Sequence, residues 1–387
     1  MKLVLVSNYL SPYQESLSKE FINQYGDSYK FIATTPFNEK RLKVGYEDKN
    51  QSFFVLRAYE TPEAMQEAIK LIDESECVIV GGVPVSVVSS RLKQGKITFM
   101  YSERFFKGPM LKDIVRFFKY SLYSGGRSSA RNLHSKFCLL CTGAFTAWDY
   151  NTCGLFRGKA YRWGYFPEVK HYDDIDGLIS RKKKASILWA GRFLDWKHPD
   201  TAVMLAKNLR DMGLDFQLKI IGAGEMQDTL VGMIEAMNLE KYVKITTGGG
   251  VSNQELRTEM EKAEVFILTS DKGEGWGVVL NEAMNSGCAV VAGEKIGSVP
   301  YLVRDGHNGL IFRDRDINDL TQKVSALLKA PEMTSTLGRE AYNTICGVWN
   351  AQEAAKRFVV LADALRKSDE PVSLWDDGPC SIAPVKI

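Results

Sequence analysis

Two glutamates, Glu274 and Glu282, stand eight residues apart in Lys272-Gly-Glu-Gly-Trp-Gly-Val-Val-Leu-Asn-Glu-Ala-Met284. Carboxylates accept hydrogen bonds from hydroxyl groups. Between them, Gly275 and Gly277 keep side chains out of the way where a helical pattern begins at Val278 and Val279. Backbone N–H groups at a helix start lack helical partners and can face an anion such as a phosphate. An apolar, strand-like run, Val265-Phe-Ile-Leu268, comes just before, followed by Thr-Ser-Asp and the Gly-rich turn. One carboxylate therefore sits in a loop ahead of a helix, and the other lies roughly two turns on, at about 3.6 residues per turn. A ligand with hydroxyls at both ends and a phosphate between them suits this order of groups. So, taken alone, does the plainer reading of two solvated glutamates around a helix start.

A nucleotide sugar has that layout. The block also resembles the Glu-x7-Glu signature of retaining glycosyltransferases with the GT-B fold, family 4 in particular (glycosyl transferases group 1). The resemblance implies that Glu274 meets the hydroxyls of the donor sugar and Glu282 the ribose, with Gly275, Trp276, Gly277 and Val278 lining the donor. The run Leu188-Trp-Ala-Gly-Arg-Phe-Leu-Asp-Trp-Lys-His198 follows another strand and resembles the Gly-Arg…Lys element of the family. There Arg192 and Lys197 would grip the donor diphosphate, Arg by a bidentate fork and Lys as a point charge. A bound anion also accounts for cations at a helix start, where they are otherwise mildly unfavourable.

Weaker signals point the same way. Ile220-Ile-Gly-Ala-Gly-Glu225 is half of a dinucleotide fingerprint, with Gln227 where the third glycine belongs. It argues against a dehydrogenase and, by resemblance, puts Gly222 near the nucleotide. Thr247-Gly-Gly-Gly250, with Val251, resembles the segment that lies beside the nucleobase and reads it through backbone groups. Ser252 and Glu255 predict a capping box. Gly297-Ser-Val-Pro300 and Asp305-Gly-His-Asn-Gly309 read as structural turns. At the end of an earlier strand, Ile97-Thr-Phe-Met-Tyr101, the chain offers Glu103 where family members carry His or Asp. The competing reading is a surface carboxylate paired with Arg104. His134 precedes its strand and belongs on the opposite face.

The elements that must hold these residues alternate, strand and helix, from end to end, which implies parallel sheets. Strands are expected near 3–6, 31–34, 53–56, 78–80, 97–101 and 137–141, then near 187–190, 216–221, 243–246, 265–268, 289–292 and 310–312. The fold class expected is α/β, GT-B: two Rossmann-like domains facing across a cleft. The boundaries fall at 1–168 for an acceptor domain, 169–185 for a charged linker and 186–349 for the donor domain. The segment 350–387 would complete the first domain with a helix, ending in a loosely packed tail from Pro371. In such folds ligands bind at the carboxyl ends of the strands.

Composition excludes several classes. The 387 residues carry a net charge of +3, 45% hydrophobic and 25% charged residues, ordinary for a globular chain and without a pull toward nucleic acid. No apolar stretch approaches the ~20 residues of a membrane span, and the N-terminal run is too short for a signal peptide. The seven cysteines are scattered, as in a cytosolic protein with reduced thiols. Cys138-Leu-Leu-Cys141 reads as a buried strand. Two Asp-x-Asp matches, Asp174-Ile-Asp176 and Asp314-Arg-Asp316, join no Glu/His cluster, and Asp316 reads as an N-cap. No metal or other cofactor is expected. From Arg91 to Lys136 there are eleven Lys or Arg against Glu103 and Asp113, with interleaved aromatics from Phe105 to Tyr123. That stretch suits either an ordinary solvated helical face or an anionic membrane surface.

The reading is a retaining glycosyltransferase that moves a sugar, from a UDP-sugar first of all, to a saccharide, lipid-linked or other acceptor. It would work in polysaccharide or glycoconjugate biosynthesis, in the cytoplasm or at the inner face of the membrane. A nucleotide-sugar epimerase on a similar fold would need acid and base residues that are not assignable here. A non-catalytic nucleotide- or sugar-binding protein would lose affinity, and no turnover, on Glu274→Ala.

Overall fold

The computed structural model describes residues 1–38, 47–108, 110–121, 127–247, 251–368 and 370–385. The chain divides into two compact units, one of residues 1–168 and 349–387, the other of 169–348.

The first unit is built on a seven-stranded, all-parallel sheet in the order β3-β2-β1-β4-β5-β6-β7. Its strands are β1 Leu3–Ser7, β2 Tyr29–Ala33, β3 Val55–Arg57, β4 Cys77–Val80, β5 Thr98–Glu103, β6 Phe137–Thr142 and β7 Ala160–Trp163. β1, β4 and β6 are buried along their whole length, as strands covered by helices on both faces must be. Cys138 and Cys141 are buried thiols of β6. The strand expected from Phe53 begins two residues later, because Phe53 itself is exposed. β7 had no expectation: Ala-Tyr-Arg-Trp lacks the continuous apolar run of its neighbours.

The helix Ala351–Lys367 starts at an Asn350 cap, whose side chain accepts from the Glu353 N–H at 2.8 Å. It returns to the first unit through Phe358, whose ring lies 4.8 Å from Phe99, 5.6 Å from Phe21 and 5.9 Å from Trp163. The segment beyond it corrects the expectation of a loose tail. Cys380, Ser381 and Ala383 are buried, and Ile382 bridges Tyr161 in antiparallel fashion. The N–H of Arg162 donates to Ser381 O at 2.7 Å, that of Cys380 to Arg162 O at 2.8 Å and that of Ala383 to Ala160 O at 2.9 Å. The tail satisfies the open edge of β7, which would otherwise be a template for aggregation.

The second unit holds a six-stranded parallel sheet, β10-β9-β8-β11-β12-β13. Its strands are β8 Lys183–Ala190, β9 Gln217–Gly222, β10 Val243–Thr247, β11 Ala263–Leu268, β12 Ala289–Gly293 and β13 Leu310–Phe312. Counted within the unit this is the 3-2-1-4-5-6 order of a nucleotide-binding α/β sheet, whose direction of winding reverses between β8 and β11. The expected linker is part of this unit. Residues Ile175–Ser180 form a helix capped by Asp174, and Lys182 is buried with its amine donating to Met260 O at 2.8 Å. Polar composition masked a segment whose charged ends are tied down.

Candidate functional site

In sheets of this order ligands bind where the winding reverses, here between the loops that follow β8 and β11. The loop after β8 carries Arg192, Trp196 and Lys197. The loop after β11 carries Ser270, Asp271 and Glu274. Thr269 ties the two together: its hydroxyl accepts from the Trp189 indole at 2.8 Å and reaches the carbonyls of Lys197 (2.9 Å) and His198 (2.8 Å). The Asp271 N–H donates to Trp196 O at 3.0 Å. Asp271 then organises the turn through its side chain, which accepts from the Gly273 N–H at 2.7 Å. Its other oxygen lies 3.3 Å from His198 Nε2 and 3.2 Å from an Arg315 nitrogen.

This framework brings two of the expected residues into contact. The Lys197 ammonium forms an ion pair with the Glu274 carboxylate, both side chains being largely buried. Ser270 Oγ donates to the same carboxylate oxygen at 3.3 Å. The Lys197 ammonium also sits 4.6 Å from the centre of the Trp196 ring, and the Arg192 guanidinium 6.0 Å from it on an exposed side chain. The indole thus carries both cations on one side-chain platform.

Glu282 stands in the first turn of the short helix Val279–Asn285, which starts at Val278. Burial raises its carboxyl above the ordinary carboxylate value, and the nearby positive charge of Arg257 opposes that shift. The Arg257 guanidinium donates to Asn285 Oδ1 at 2.8 Å and to Glu282 O at 3.3 Å, tying Asn253–Lys262 to this helix. That helix begins with the expected capping box of Ser252 and Glu255.

The glycines of the site are places of close approach. Gly222 abuts the Gly191 carbonyl and the Phe193 ring, with no space for a Cβ. Gly277 takes φ +87°, a conformation glycine adopts without strain. The Gly297 N–H donates to Glu274 O at 3.1 Å and the Ser298 N–H to Trp276 O at 3.2 Å, which braces the Gly275 turn from behind. The Trp276 indole is buried and donates to Asn281 at 2.8 Å, so its side chain is turned into the core. Gly275 and Gly277 are buried, and Val278 and Val251 partly so. Gly250 lies outside the described residues.

Glu103 belongs to the first unit and ends β5. Its expected partner, Arg104, turns away to Asp149, 3.5 Å distant, and lies 4.8 Å over the Phe145 ring. Asp149 is fully buried and accepts from the N–H groups of Phe105 and Phe106 at 2.8 Å each, so it captures the neighbouring cation. Glu103 instead pairs with Lys107 and accepts from the Tyr165 hydroxyl at 2.9 Å. A narrow pocket beside it is lined by Tyr13, Gln14, Tyr101, Trp163 and Tyr165. Within it the Tyr101 hydroxyl lies 2.9 Å from Ser7 Oγ. His134 lies at the opposite end of the sheet, with its Nδ1 3.2 Å from Glu370.

Among the described residues no group of His, Cys, Asp and Glu has the arrangement of a metal site. Asp174 and Asp316 both cap helices. Sequence reasoning missed Asp271, Ser270, Trp196 and Arg257 as parts of the site. Thr269-Ser-Asp271 was visible as a polar cluster at a strand end, but its partners are distant in sequence.

Comparison with known proteins bears on both units. Residues 173–344 match the family model described as glycosyl transferases group 1. An uncharacterized glycosyltransferase of Methanocaldococcus jannaschii is 29% identical over 171 residues, 44% of this chain and 43% of that protein. A GDP-mannose-dependent alpha-(1-6)-phosphatidylinositol monomannoside mannosyltransferase of Mycolicibacterium smegmatis is 27% identical over 188 residues, 47% of this chain and 48% of that one. The chain thus spans about half the length of the curated relatives it matches. The crystal structure of Anabaena HepE in complex with UDP aligns over 94% of this chain and 100% of its own, with a TM-score of 0.69 at 13% identity. That likeness shows the fold, GT-B, and the fold alone.

Proposed function

We propose, from a second unit that belongs to the glycosyl transferases group 1 family, that this chain transfers a sugar from a nucleoside diphosphate donor to a saccharide or lipid-linked acceptor, with retention of anomeric configuration. The observation that carries the reading is the clustering of Arg192, Lys197 and Glu274 where the sheet winding reverses. There the lysine and the glutamate neutralise each other in a largely buried contact.

On donor binding, Lys197 and Arg192 exchange their present partners for the diphosphate oxygens. The freed Glu274 carboxylate accepts from the sugar hydroxyls, and Glu282 accepts from the ribose. As the bond between the anomeric carbon and the diphosphate oxygen breaks, negative charge grows on the leaving group beside the two cations. Fixed charges of this kind supply a large share of enzymatic rate enhancement. The acceptor oxygen bonds to the anomeric carbon on the same face, and its proton passes to the departing phosphate oxygen. No nucleophile for the donor's other face is assignable among the described residues, which favours this front-side path. Glu103, held by Tyr165 beside the narrow pocket of the first unit, is assigned to the acceptor. Such transfer belongs to polysaccharide or glycoconjugate biosynthesis.

UDP-sugars are the first donors proposed, since the fold neighbour was solved with UDP. GDP-mannose is the second, favoured by the name of the mycobacterial relative. Thermal stability measured with UDP, GDP, ADP and their sugar conjugates tests the site. A ligand at about a hundred times its dissociation constant stabilises by about 2.7 kcal/mol. One nucleotide series should raise the melting temperature, and Glu282→Ala should abolish the shift. Lys197→Ala should cost about 10²–10³ in turnover. Failure of every nucleotide to shift the protein would overturn the donor site. A covalent glycosyl-enzyme would overturn the front-side path.

A further inference from the structure

The basic, aromatic-rich stretch from Arg91 to Lys136 resolves into different environments. Arg91 is fully buried, donating to the carbonyls of Ile72 (2.6 Å), Ser75 (2.6 Å) and Ile97 (2.9 Å). Arg104 is held by Asp149 and Lys107 by Glu103. The 12-residue helix Met110–Ser121 faces solvent, and it does so with its apolar side. Met110 is 78% exposed, Leu111 79%, Ile114 45%, Val115 67% and Phe118 57%. At about 100° per residue these five fall in one sector roughly 140° wide. Phe117 lies outside that sector and packs on the first unit's core. Lys112 and Lys119 are exposed and border the sector on the Val115 side. Asp113 is the sole acid of the helix. It is used internally, accepting from Gly108 N–H at 3.1 Å and from Arg116 at 3.0 Å.

We propose that this face of Met110–Ser121 is a docking surface for an anionic lipid bilayer. An apolar sector with large aliphatic and aromatic side chains, edged by lysines, is the pattern of a helix lying in the membrane interface. At about 1.5 Å per residue the helix is roughly 18 Å long, too short to cross a hydrocarbon core of about 30 Å, so it lies flat. The lysines then meet anionic headgroups. A second copy of the chain fits less well. A two-fold pairing brings each patch against itself and sets Lys112 and Lys119 beside their own counterparts. Five side chains on one short helix are also a small area beside the ~800 Å² per partner of a stable interface. The inference uses the first unit alone and goes beyond the donor-site reading without resting on it.

Co-sedimentation of the full chain with phosphatidylcholine vesicles, with and without phosphatidylglycerol, tests it. Binding is expected to the mixed vesicles and to weaken as salt rises. The triple variant L111Q/V115Q/F118Q should partition at least about tenfold less, and K112Q/K119Q should lose most of the preference for anionic lipid. These side chains are exposed, so the melting temperature and its shift with UDP or GDP should be unchanged in both variants. That readout separates failure of this proposal from failure of the donor site. No binding of the native chain to the mixed vesicles, or equal binding of the triple variant, would overturn the proposal. So would native self-association, in sedimentation velocity, that the triple variant abolishes.

Discussion

Glu282, proposed to meet the ribose, is held at the expense of stability. Desolvation lifts its carboxyl above the ordinary value of 4.5, with Arg257 only partly opposing. Between the unfolded and the raised value, the folded state therefore holds a proton that the unfolded chain has released. Stability contributed by this group is full below the unfolded value and falls as pH rises through the raised one. Glu282→Gln should accordingly melt above the native protein at neutral pH, with the difference closing as pH falls toward 4.5. The same substitution should shrink the nucleotide-induced shift, because Gln offers one neutral carbonyl oxygen in place of the two charged acceptors of a carboxylate. Melting curves across pH, with and without UDP or GDP, check both halves. A native-like pH profile in the variant would remove Glu282 from the list of strained groups. Which cation meets which acid was the least legible feature at this scale. Arg104 and Glu103 are adjacent in sequence, yet a buried Asp149 from the helix Thr146–Thr152 outcompetes the neighbour.

Loops and helix starts carry the site, and their shape depends on contacts between elements. The Gly275 turn is backed by Gly297, where an added Cβ would run into the Gly275 carbonyl. Gly297→Ala should cost about 1–3 kcal/mol through overpacking and should weaken nucleotide binding by displacing the turn. Gly232 offers a control. It lies within the helix Gln227–Ala236 with open space where a Cβ would stand. Gly232→Ala should raise stability by up to about 1 kcal/mol and leave binding alone. Calorimetry and the nucleotide shift on both variants decide the point. Equal behaviour of the two would refute the bracing role. The strand runs at 187–190, 265–268 and 289–292 were legible because they are continuously apolar, and the cap residues Ser252 and Asp316 because their side chains act locally.

At the level of the whole chain, the segment from Trp349 onward leaves the second unit and rejoins the first. Its last part pairs with β7 through backbone bonds that any sequence could make. Truncation before Gly378 should remove those bonds, expose the β7 edge and leave the first unit less stable and prone to aggregate. Light scattering on heating, with calorimetry, measures this. An unchanged profile would mean that the tail is dispensable. No helix among the described residues is long and apolar enough to cross a membrane.

Periodicity and glycine placement sufficed by themselves for the two parallel sheets, and the Glu274–Glu282 spacing for the resemblance that the family model of residues 173–344 matches. These signals are local: each strand, cap or turn announces itself within a few residues. The tertiary structure alone decided the rest. It paired Lys197 with Glu274 across 77 residues of chain, buried the Trp276 indole and drew the tail onto β7. It also turned the apolar side of Met110–Ser121 outward. Hydropathy patterning shows that a helix has an apolar face, whereas which face meets solvent depends on what the rest of the chain places against it.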